Sequence, residues 1–261
     1  MFVAMDTDEK RIHIDSAYNG GKYFCPICGE PVIVKAKNSE AVQPHFAHKK
    51  GTVCLDNWKH DMSEWHYNWQ LLFPEECREV VVEKDGVKHR ADVLINNTVI
   101  EFQHSPITLE EIHDRNIFYL GCGYRVIWVF DANNKVQNIF GKDYSIDPAF
   151  SQLEWKRARR EFGKPMECGV AVFIEYHCRL TASKIEEADI MLLLENVSTK
   201  RIKFVGTYER RYDKYGYKDI FWYIMRHNFL KEFGICAYQQ VPSVSEMIKR
   251  TTRKPYRRYL R

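Results

Sequence analysis

No run of apolar residues in this chain is long enough to span a bilayer, and the opening MFVAMDTDEKR orders charge and apolar residues wrongly for a secretory signal. Both absences predict a cytoplasmic protein with no membrane partner. Closely spaced cysteines are scarce too: of eight, only Cys25 and Cys28 form a pair with metal-type spacing. With 261 residues and 45% apolar content the chain needs no disulfide scaffold, so Cys77, Cys122, Cys168, Cys178 and Cys236 are expected as reduced thiols. Acids are missing from Lys249–Arg261, which holds seven basic residues; set against a total of +4, this leaves −3 for the rest. The basic character is mostly a tail, and the length suggests one to two domains.

What is present is most specific between Val87 and Gln103, VKHRADVLINNTVIEFQ. Asn96-Asn97 between β-branched runs predicts a tight hairpin, because asparagine tolerates positive φ. Side chains alternate along a strand, so Glu101 and Gln103 share one face while Ile100 and Phe102 take the other. If Asp92 points to the polar face, two carboxylates and an amide converge on a small volume. Such a group repels itself without a cation, and its oxygens suit Mg2+ or Mn2+. Read on spacing alone, the same residues also suit the solvated face of a hairpin.

Strand signals continue on either side. Arg78 to Lys84 alternates, and Asp85-Gly86 is a strong turn into the next strand. Thr108 to Glu111 forms a capping box for a helix to about Gly121, and Tyr124 to Phe130 reads as a buried strand. Before them, Asp61 to Phe73 has helical apolar spacing and stops at Pro74. The order is α-β-β-β-α-β, within an α/β (α+β) fold.

The segments SEWHYNWQ, HRADV, VIEFQHSPIT and YRVIWVFD, with an Arg115-containing helix between the last two, resemble the PD-(D/E)xK nuclease superfamily, and within it the competence protein CoiA-like family. The resemblance implies a restriction-endonuclease-like core in which Asp92 and Glu101 bind the catalytic metal. It also implies that Glu64, on the first helix, is a third acidic ligand. Gln103 stands where many members carry a lysine; as a neutral amide it is no general base but can orient water. Candidates for substrate contact are His66, Arg90, Ser105 and Arg115. The surface alternative for Arg115 is an ion pair with Glu111, one helical turn earlier.

Met1 to Lys59 reads as a small, β-poor module with little core of its own. Cys25-x-x-Cys28-Gly29 is a knuckle whose sulfurs face one ion, which suits Zn2+. The remaining ligands are drawn from His45, His48, Cys54 and His60; the resemblance favours His45 and His48. The domain division expected is a zinc-ribbon-like module over 1–59, the nuclease core over 60–150, and a C-terminal α/β extension with a basic tail over 151–261. In that extension Phe150 to Phe162 is expected as a basic helix, Gly169 to Tyr176 as a strand and Ile220 to Phe233 as an amphipathic helix.

The function expected is metal-dependent hydrolysis of DNA phosphodiesters, which the resemblance ties to recombination, uptake or defence. The alternatives are a non-catalytic DNA-binding protein on the same core, or a zinc-containing interaction platform. A protein partner or homo-oligomer is compatible with either.

Overall fold

The computed structural model describes residues 1–39, 42–56, 58, 63–131, 152–154, 170–180, 185–197, 201–204, 208–213, 216–221, 224–225, 229–230 and 233–234. His60, the WKRARR stretch and the Lys249–Arg261 tail lie outside them.

The N-terminal module is a five-stranded antiparallel sheet: β1 (Val3–Met5), β2 (Arg11–His13), β3 (Tyr23–Phe24), β4 (Pro31–Lys35) and β5 (His45–His48), ordered β2-β1-β3-β4-β5. Phe2, Ile14, Tyr23, Val32 and Phe46 form its buried core. The expectation of a β-poor module with little core of its own is therefore corrected. Arg11 to Ile14 and Pro31 to Lys35 read as strands and become β2 and β4, but β1 and β3, of three and two residues, are too short to display the alternation by which a strand is recognised.

Next comes α1 (Glu64–Leu71), whose cap Ser63 accepts the His66 N–H. It is shorter than the expected 61–73, and Leu72 closes it before Pro74. Three antiparallel strands follow: β6 (Arg78–Lys84), β7 (Val87–Ile95) and β8 (Thr98–Gln103). Asp85-Gly86 and Asn96-Asn97 turn with positive φ at both positions, 52° and 78°, then 47° and 57°. That geometry matches the twist of the flanking strands, as the asparagine and glycine content predicts. Thr108 caps α2 (Leu109–Gly121) by accepting the Glu111 N–H, and α2 leads to β9 (Arg125–Asp131), parallel to β8.

The sheet continues beyond this core. After β10 (Gln152–Glu154) come β11 (Ala171–Leu180), β12 (Ile185–Val197), β13 (Arg201–Phe204), a hairpin of β14 (Tyr208–Asp213) and β15 (Gly216–Phe221), and β16 (Ile224–Met225). Strand β11 lies parallel to β9, giving the order β10-β13-β12-β11-β9-β8-β7-β6, with β16 on β12. Two expected helices are corrected in part: residues 152–154 are a strand, the rest of 150–162 lying outside the described residues, and 220–225 enters β15 and β16 while Phe229 and Leu230 are helical. Short runs of aromatic and β-branched residues fit either periodicity, and a distant partner strand decides between them. Among the described residues no helix is long and apolar enough to cross a membrane.

The two helices face opposite sides of the core sheet. Trp69 of α1 stacks on Phe102 at 5.1 Å, whereas Arg115 of α2 meets Glu101, the neighbouring residue on β8. Between module and core stands Glu79, a non-glycine strand residue with φ of 46°. Its buried Oε2 accepts the Phe2 and Val3 N–H groups at 2.8 Å each, and its Oε1 pairs with Arg90 at 3.8 Å. Burial alone would raise the Glu79 carboxyl, but the Arg90 charge and the two amides outweigh it and hold it below the ordinary value.

Candidate functional site

The β7–β8 ladder runs from Ile95↔Thr98 to Val93↔Ile100 and stops there. Asp92 follows, and its Oδ2 accepts the Phe102 N–H at 2.9 Å, taking the place of a strand carbonyl. Its Oδ1 lies 3.3 Å from His66 Nε2, and His66 Nε2 is 3.0 Å from Gln70 Nε2 one helical turn on. Asp92 is thus fixed at the point where the two strands part, with α1 supplying its second partner.

Glu101 sits opposite on β8 and is fully buried. Arg115 donates to its Oε2 at 2.6 Å and to Glu111 Oε1 at 2.6 Å. The guanidinium lies between two indoles, 5.2 Å from the Trp58 ring and 5.9 Å from that of Trp128. Burial would lower its pKa, but Glu101 first and Asp92 next outweigh this and hold it charged. Burial also keeps the Tyr119 phenol neutral, with Glu101 adding to the effect. Gln103 directs its amide nitrogen to the Ser105 carbonyl, which leaves the amide oxygen as its acceptor.

Three candidates for substrate contact are buried with protein partners: His66 on Asp92, Arg90 on Glu79 and Arg115 on two carboxylates. The ion pair of Arg115 with Glu111, one helical turn earlier, does form, with Arg115 buried and Glu111 partly exposed. Ser105 is exposed. Glu64 is exposed in the first turn of α1, and His66 rather than Glu64 meets Asp92 from that helix.

As donors for a cation, Asp92, Glu101 and the Gln103 amide offer the hard oxygens that a divalent ion of the Mg2+ type requires. Such an ion would share each carboxylate with a protein donor, Arg115 on Glu101 and the Phe102 N–H on Asp92. The donor chemistry fits, and the net charge of the carboxylates is already partly offset.

A second cluster is built for a softer ion. Cys25, Cys28, His48 and Cys54 place four ligand atoms within 4.8 Å of one another, the one such group of three or more among the described residues. Cys25 Sγ is 3.9 Å from Cys54 Sγ, and Cys28 Sγ is 3.3 Å from His48 Nε2. Around a tetrahedral zinc these spans are about 3.8 and about 3.6 Å. Gly29, with φ of 73°, donates its N–H to the Cys25 carbonyl at 2.9 Å and closes the knuckle. Burial raises the Cys54 thiol to about 12 and the Cys25 thiol above its ordinary value, while it lowers His48 into the neutral form that a ligand needs.

His45 is corrected as a ligand. On β5 it lies three residues from His48, hence on the opposite face, and its Nδ1 contacts the Gln43 carbonyl at 2.9 Å. Cys54, from the loop that follows β5, takes its place.

Sequence reasoning missed several polar partners. Asp56 holds His89 at 3.1 Å, and Trp58 stacks on the same His89 at 3.4 Å with an interplanar angle of 6°. At the carboxyl ends of the parallel strands, His104 Nδ1 meets Asp131 Oδ2 at 2.6 Å, and the next strand places Glu175 beside Asp131 in register. Glu175 accepts the indole N–H groups of Trp65 and Trp69, the latter at 2.7 Å. A lone acid in the otherwise apolar run AVFIEY, with two tryptophans one turn apart on a helix, was the available signal.

Comparison with known proteins follows the same division. The family model for the competence protein CoiA N-terminal domain matches residues 6–57, and that for the competence protein CoiA nuclease-like domain matches residues 57–157. No curated protein and no solved structure matches. With two adjoining models covering more than half of its length in the order of its two structural parts, the chain belongs to the competence protein CoiA-like family.

Proposed function

We propose that the protein is a metal-dependent DNA nuclease whose active centre is Asp92, Glu101 and Gln103. The observation that carries this reading is the convergence of Asp92 and Glu101 where the β7–β8 ladder opens, each clamped by a buried donor. A divalent cation held by the two carboxylates would polarise the phosphodiester and acidify water. Arg115 fixes the rotamer of Glu101, and His66 with the Phe102 amide fixes Asp92. Gln103 orients water through its amide oxygen and takes no proton. Glu64 joins only if substrate draws the start of α1 inward. Cys25, Cys28, His48 and Cys54 would hold a structural zinc. In this reading residues 1–59 stiffen the core at 60–150, and residues 151–261 extend its sheet and add the basic tail. DNA handling in uptake or recombination is the role that fits the family.

The test is incubation of labelled single-stranded, duplex and branched DNA with the full chain and Mg2+ or Mn2+. Metal-dependent cutting that disappears in Asp92→Asn supports the reading. A second reading, a DNA-binding protein without turnover, draws on the neutral Gln103 and on the Arg115 charge already resting on Glu101. Tight, salt-sensitive binding without any cutting by the wild type would favour it.

A further inference from the structure

Cys54, Asp56 and Trp58 stand at alternate positions of a short strap between the module and the core, and each makes a contact. Cys54 belongs to the metal-ligand cluster. Asp56 Oδ1 holds His89 Nδ1 at 3.1 Å and also accepts the Trp58 N–H at 3.2 Å. The Trp58 ring lies flat on His89, meets Phe118 and Tyr119 edge-on at 5.7 and 5.6 Å, and covers the Arg115 guanidinium. Of the two indoles against Arg115, Trp128 belongs to β9 and is secured by Asn116 at 2.8 Å, whereas Trp58 is delivered by the strap. Only three residues separate Cys54 from Trp58, so their backbones are at most about 14 Å apart.

We propose that Trp58 is a positioning residue for Glu101, acting through Arg115, and that the strap makes the carboxylate site depend on metal in the Cys25–Cys28–His48–Cys54 cluster. This rests on the nuclease reading. A cation between two aromatic faces is held in a desolvated slot; with one face removed, water reaches the guanidinium and its hold on Glu101 loosens. Zinc removal would free Cys54 and shift the ring in the same way, although the metal lies outside the carboxylate site.

The experiment compares the zinc-loaded wild type, Trp58→Leu and Trp58→Phe with the wild type and Trp58→Leu after chelation. Leucine fills the slot without a ring face, and phenylalanine restores the face. Solvent exchange of the Arg115 Nε–H by NMR is read beside kcat and KM for DNA cleavage. Trp58→Leu should speed that exchange and lower kcat, each about tenfold, with KM within about twofold, and Trp58→Phe should recover most of both losses. Chelated wild type should match Trp58→Leu, and chelating Trp58→Leu should add little. Unchanged exchange in Trp58→Leu, or full compounding of the two losses, would overturn the proposal. Should the wild type cut no DNA, the nuclease reading fails while the Arg115 exchange still decides the role of Trp58.

Discussion

At the scale of single residues, strand parity decides the ligand set. His45-Phe46-Ala47-His48 runs along β5, so His48 shares a face with the core residue Phe46 while His45 faces away. Accordingly His48→Ala and Cys54→Ser should each lose stoichiometric zinc, whereas His45→Ala should keep it, as metal analysis of the purified proteins would report. That parity was legible in four letters; what the letters could not give was the return of Cys54 from the following loop. Arg115 makes the companion case. Replacing it with leucine strands Glu101 and Glu111 without their cation, at a cost of about 3–5 kcal/mol. Arg115→Lys should recover only part of this in thermal denaturation, because one ammonium cannot fork to two carboxylates.

At the scale of elements, β6 carries the joint between module and core. Glu79, the second residue of the strand, adopts a left-handed φ and turns its carboxylate onto the Phe2 and Val3 amides and Arg90. A carboxyl held below its ordinary value of 4.5 contributes stability that is complete above that pH and is lost as pH falls through the lowered value. The joint should therefore loosen on acidification below about pH 4.5, seen as faster hydrogen exchange at Phe2 and Val3. Glu79→Gln should be less stable at neutral pH and show a flatter acid limb; an unchanged acid limb would contradict the clamp.

Elements were legible where local chemistry sufficed. Asn96-Asn97 and Asp85-Gly86 carry the positive φ of their turns, and Thr108 caps its helix through its own side chain. Where a partner far along the chain decides, sequence alone misled. Gln152–Glu154 becomes a strand because β13 pairs with it, and Arg115 is buried because Trp58 and Trp128 enclose it. Asp92 and Glu101 could be read from the alternation of their hairpin, but the side chains that meet them, His66 and Arg115, come from two separate helices.

For the whole molecule, Glu79 on β6 meets the Phe2 and Val3 amides of the module, Trp58 covers Arg115, and the sheet passes from β9 to β11 in register. Hydrolysis at the buried carboxylates can be probed directly. Glu101→Gln is the sharpest probe, since it keeps the shape and an acceptor for Arg115 while removing the charge a cation needs. On the DNA that the wild type cuts best with Mg2+ or Mn2+, Glu101→Gln should bind with near wild-type affinity and cut at least about a hundredfold more slowly. Equal cutting by both proteins, or none by the wild type, would contradict hydrolysis at this site.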